Sequence, residues 1–154
     1  MKYPSLQIAS QIAKVCRASD LRYNNTKIQK LLYCCYGCTL VALSDRLCDE
    51  YPRAWQFGPV FPRVFKYIKD GKSLADDSIA LVGASDESLQ LIEKVVRDFG
   101  IYTAQSLSAW THRPGSPWDK VINEMGEPIG SFIPDDMIAD YFRKNIVRMA
   151  GDAA

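Results

Sequence analysis

Two groups of side chains have residue types and spacing that could support chemistry. Cys35-Tyr36-Gly37-Cys38 is formally a Cys-x-x-Cys motif. Such a pair can cycle between dithiol and disulfide, or supply half of a zinc site. The redox form follows a strand and opens a helix, where the helix N-terminus favours the thiolate. Here the motif lies in the middle of an uncharged run from Leu31 to Leu43. A zinc site would need two further ligands, and Cys48 and His112 fit no zinc spacing. The pattern therefore reads as core cysteines, since free Cys is among the most buried residue types. His112 is the single histidine. As a catalytic base it would need a nucleophile beside it and an orienting acid. The stretch Ser108-Ala109-Trp110-Thr111-His112-Arg113 offers hydroxyls, but on a helix and without a glycine elbow. A structural, hydrogen-bonding histidine is the better reading.

Other chemistries find less support. Asp49-Glu50 and Asp135-Asp136 fall at turns or helix starts, where solvent and helix dipoles account for them. The nine glycines are scattered and form no phosphate loop. No residue is assigned as catalytic, cofactor-binding or metal-ligating, and the chain reads as non-enzymatic. A helix-turn-helix deserves weighing, because Asn25-Thr26-Lys27-Ile28-Gln29-Lys30 carries residue types that reach bases and phosphates. Against it, the helix starting near Thr26 becomes apolar on all sides after one turn. The net charge is only +1, from 19 basic and 18 acidic residues, and nucleic-acid recognition usually leaves a strong basic footprint. Nucleic acid is a disfavoured partner.

The elements that must position these residues follow from periodicity and punctuation. Ala9, Ile12, Ala13 and Cys16 mark a helix from about Ser5 to Arg17. After the cap-forming Ser19-Asp20 and Asn24-Asn25, a second helix runs from about Thr26 to Leu43. Being apolar on both faces, it is expected at the centre, with Gly37 admitting a close neighbour. Arg53 to Phe57 reads as a short strand broken by Gly58-Pro59, with Ile79-Ala80-Leu81-Val82 as its expected partner. Helices are expected from Pro62 to Lys69, from the Ser85 cap to Gly100, from the Thr103 cap to Arg113, and from Ser116-Pro117 to about Glu124. A last one starts after Pro134, with Ile138, Tyr141, Phe142 and Met149 on its packing face and Arg143, Lys144 and Arg148 toward its end. The expected fold is a mainly α single domain over residues 1–150, with six to seven helices, a small β-hairpin, and a short tail at 151–154.

No stretch has the length of a membrane span, since the apolar run is 13 residues against about 20 needed. The N-terminus lacks the apolar core of a signal peptide. Five cysteines, an odd number, point to free thiols in a reducing cytoplasm.

The remaining feature is Trp55-Gln56-Phe57-Gly58-Pro59-Val60-Phe61-Pro62, a rigid aromatic turn. Trp55 is expected to pack inward, with Phe57 or Phe61 partly exposed as a binding anchor. At this segment the sequence resembles the Panacea antitoxin domain family, which takes in SocA-like antitoxins and GepA-like phage-associated proteins. The resemblance rests on Thr26 to Tyr33, Ala54 to Val60, Leu107 to His112 with Pro117-Trp118, and Ile138 to Phe142. It implies an antitoxin that neutralises a cognate toxin, encoded nearby, by direct protein contact, and in some members delivers it to a cytoplasmic protease. It brings no catalytic residues. The family-motif and interaction candidates are Lys27, Lys30, Tyr33, Trp55, Phe57, Gly58, Pro59, Val60, Thr111, His112, Pro117 and Trp118. His112 is expected to hydrogen-bond backbone near Gly58-Pro59.

Overall fold

The computed structural model describes residues 2–147. Helices α1 (Ser5–Ala18) and α2 (Asn25–Ala42) are followed by strands β1 (Arg53–Trp55) and β2 (Gly58–Val60). Then come α3 (Pro62–Lys69), α4 (Asp86–Phe99), α5 (Ala104–Thr111), α6 (Pro117–Asp119) and α7 (Asp135–Phe142). Short polar side chains set most starts, as their spacing predicts. Asn24, Ser85, Thr103 and Ser116 each accept from the backbone amide three residues on, satisfying a donor that the first turn leaves unpaired. α6 and α7 each widen into a π turn, over Lys120–Glu124 and Arg143–Val147. The expected roles of Arg148 and Met149 lie outside the described residues.

α2 is the axis of the fold. α1, α3, α4, α5 and α7 all pack on it, which is what a helix apolar on both faces requires. At Gly37, α7 packs directly against α2. A Cβ there would lie 2.6 Å from three carbons of the buried Phe142 ring. Gly100 ends α4 as expected, but with ordinary helical φ; the space a side chain would need is taken by the Val96 carbonyl and by Leu21. All five cysteines are free and buried. Burial pushes every thiol up, Cys38 and Cys48 to about 12, so they behave as apolar core. Among the described residues no helix is long and apolar enough to cross a membrane.

The hairpin differs from the sequence expectation. β1 pairs antiparallel with β2, Arg53 opposite Val60, Ala54 opposite Pro59 and Trp55 opposite Gly58. Gly58 thus opens a return strand rather than ending the pairing. Its φ of +116° is a conformation that suits glycine. The expected partner segment does otherwise: Asp77–Ile79 is a 3₁₀ turn and residues 80–82 are irregular. Asp76 accepts from Ser78 N at 2.9 Å, and this local polar bond outweighs the strand propensity of Ile and Val. The free edge of β1 is instead covered by residues 130–133. Ala54 N donates to Ser131 O at 2.7 Å, Gly130 N to Ala54 O at 2.8 Å, and Ile133 N to Pro52 O at 3.1 Å.

Candidate functional site

The turn of the hairpin is held by side chains that reach its backbone from three helices. From α2, Lys30 Nζ donates to Pro59 O at 3.1 Å. From α5, Ser108 Oγ donates to Phe57 O at 3.0 Å. From α6, Trp118 Nε1 donates to Trp55 O at 2.7 Å. His112, at the end of α5, has Nε2 3.2 Å from Gln56 O and Nδ1 2.7 Å from Ser108 O. A neutral imidazole can donate to only one of these two carbonyls. The His112 ring lies against Trp118, 4.2 Å between centroids. One further bond runs the other way, from Phe61 N to Gln29 Oε1 at 2.8 Å. Three carbonyls between Trp55 and Pro59 thus accept from side chains, and Gln56 O becomes a fourth when the His112 proton is on Nε2, so the hairpin is clamped.

Gly58 shows how tight the clamp is. A Cβ there would meet Thr111 Oγ1 at 2.7 Å and Lys30 Nζ at 3.1 Å. Thr111 is buried and turns its hydroxyl to Ser108 O at 2.7 Å. Pro117 takes the first position of α6, where its fixed φ suits a helix start, and so sets Trp118 beneath Trp55. The Trp55 ring is half-buried and meets Phe65 edge-on at 5.0 Å. Phe57 is 70% exposed, whereas Phe61 is fully buried. Of the two, Phe57 alone is exposed on this turn, and Phe61 belongs to the core.

Lys30 is the electrostatic oddity. It is 2% exposed, and desolvation lowers its amine from the ordinary 10.5 to about 8. Among the described residues Pro59 O is its one hydrogen-bond acceptor. Lys27 is also buried, and its ammonium meets Gly100 O at 2.5 Å, a cation on the carbonyl end of α4. With Gln29 buried as well, three of the polar side chains that a groove-reading helix would present to DNA are turned into the protein, while Thr26 stays exposed. Lys27, Gln29 and Lys30 therefore add no wet face to the helix start weighed for DNA binding.

The comparisons with known proteins bear on this arrangement directly. Residues 28–119 match the family model described as "Antitoxin SocA-like, Panacea domain", an interval that holds the whole clamp. The chain belongs to the SocA-like Panacea antitoxin family. It is 32% identical over 152 positions to the antitoxin SocA of Caulobacter vibrioides (strain NA1000 / CB15N), covering 88% of this chain and 80% of that relative. No solved structure matches at a significant level.

Within this Panacea chain the structure gathers Lys30, Trp55, Phe57, Gly58, Pro59, Val60, Thr111, His112, Pro117 and Trp118 around one hairpin. It does not gather Lys27, which serves the end of α4, or Tyr33, whose ring packs edge-on against Phe142 at 5.4 Å. The clamp also contains Gln29 and Ser108, which sequence reasoning did not single out. Ser108 is one helical turn before His112, a spacing at which side chains meet and so an available signal; Gln29, adjacent to Lys30, gave none. His112 reaches the carbonyl of Gln56, two residues before the expected Gly58.

Proposed function

We propose that this protein is an antitoxin that neutralises a cognate toxin, encoded nearby, by direct protein contact in the cytoplasm. The observation that carries the reading is the Panacea match over residues 28–119, together with the likeness to an antitoxin over most of the chain. The clamped hairpin supports it physically. A partner that meets a pre-ordered backbone has less ordering entropy to overcome on binding, and Phe57 offers an aromatic anchor on that backbone. Delivery of the captured toxin to a cytoplasmic protease is part of the proposal.

Co-expression with the adjacent gene is the test. The neighbour's product alone should arrest growth, this chain should restore it, and the two should co-purify. A harmless neighbour that forms no complex with this chain refutes the antitoxin reading. A toxin whose lifetime is the same with and without this chain, in rescued cells, refutes protease delivery and leaves sequestration.

A further inference from the structure

A groove of about 570 Å³ opens beside the clamp, between the start of α2, the hairpin, α3 and residues 129–130. Its lining includes Trp55, Phe57, Val60, Phe65 and Ile129, with Lys30 among them. Two of these apolar residues, Phe57 and Ile129, are more than half exposed. Exposed apolar residues scattered singly need no explanation, but these two line one concave, mostly apolar surface, the setting in which binding sites form. Tyr51 and Phe132, whose rings meet edge-on at 5.8 Å, add exposed apolar surface on the same two paired segments.

The groove also has a charge requirement. An ammonium carries three donors, and among the described residues Lys30 has one acceptor and no carboxylate within ion-pair distance. A buried cation without a counter-charge is costly, and an incoming anion would relieve that cost.

We propose that this groove grips the toxin, taking an aromatic side chain of the partner that is adjacent to an aspartate or glutamate, whose carboxylate bonds to Lys30 Nζ. This rests on the antitoxin reading and names its contact. The source of the carboxylate is a side chain rather than a chain terminus. Terminal carboxylates are captured by runs of backbone N–H groups, whereas the hairpin turns carbonyls toward the clamp and Lys30 is the one charged residue in the groove lining.

The test uses capped peptides and the full chain. Acetyl-phenylalanyl-glutamate amide, its glutamine counterpart and acetyl-phenylalanine are titrated while the Trp55 indole NMR resonance is followed. The glutamate peptide is expected to bind roughly tenfold or more tightly than the glutamine peptide, the scale of one charge-assisted hydrogen bond. The preference is expected to vanish in Lys30→Met, with thermal melting confirming that this variant is folded. Equal binding of the two peptides, or of neither, overturns the acidic-aromatic assignment. Tighter binding of acetyl-phenylalanine overturns the side-chain source.

A second arm uses the neighbouring gene product as probe. Phe57→Ser, at an exposed position, is expected to weaken the complex at least tenfold, while Val82→Ser, also exposed but outside the groove lining, leaves it unchanged. If wild type binds the toxin and Phe57→Ser binds equally well, the groove proposal falls and the antitoxin reading stands. If wild type fails to bind the toxin, the antitoxin reading falls, and the peptide titration still decides what the groove accepts.

Discussion

Replacing Gly37 by alanine sets two opposed effects against each other at one point of the core. Alanine in place of glycine inside a helix adds about 1 kcal/mol of stability from backbone propensity. Against this, the new methyl would sit 2.6 Å from Cδ1, Cε1 and Cε2 of Phe142, when carbon contacts settle near 3.5–4.0 Å. Because three ring atoms are equally close, the face of the ring covers the site and spinning it gives no relief. The whole side chain must move by about 1 Å, away from a fully buried position. Overpacking of this kind costs about 1–3 kcal/mol, and the blocked ring puts Gly37→Ala at the upper end. The expected net loss is about 2 kcal/mol, or about 4–8 °C in Tm for a domain of this size. Denaturant unfolding of Gly37→Ala, Phe142→Leu and the double variant completes the cycle. The double variant should be less destabilised than the sum of the single changes, because the smaller side chain vacates the space. A Gly37→Ala protein that is more stable than wild type would mean that propensity wins and that the contact with α7 yields freely.

Lys30→Met should differ from wild type in a pH-dependent way. The unfolded amine keeps its proton up to about 10.5 and the folded one releases it near 8. Between those values the unfolded chain holds more protons, so wild-type stability rises with pH relative to the variant. The full change is ~3 kcal/mol; a difference that stays flat in denaturant titrations from pH 8 to 10.5 would contradict a desolvated ammonium. Trp118→Phe keeps the ring packing but leaves Trp55 O without its indole donor, and should cost about 1–2 kcal/mol in urea unfolding. Gly58→Ala must adopt a φ of +116° and crowd Thr111 and Lys30. A loss of at least about 2 kcal/mol is expected, and an unchanged Tm would show that the turn can relax.

Much of the helical frame was readable from residue types alone. Asn24, Ser85, Thr103 and Ser116 announce starts because a short polar side chain can close on its own backbone, a local event. Gly37 in an uncharged run likewise foretold a close neighbour, although not that Phe142 would be that neighbour. The failures are at residues whose partners are distant in sequence. Lys27 and Lys30 look like wet, DNA-facing cations until their ammonium groups are seen on carbonyls 73 and 29 residues away. The short apolar run Ile79–Val82 suggested a strand, but the covering edge of β1 came from residues 130–133, where Gly130 and Pro134 gave no strand signal. At the candidate site the aromatic turn drew attention, yet periodicity could not reveal that its backbone, rather than its side chains, is what the helices hold.

That last point bears on how the surface can change over generations. Every side chain in the clamp that reaches the turn between Trp55 and Pro59 ends on a peptide oxygen, and a peptide oxygen is present whatever residue carries it. Substitutions at Gln56 or Phe57 therefore leave their own anchor points intact. The outward face of the turn can drift toward a new partner while the frame beneath it is undisturbed, so altered specificity need not come at the expense of folding.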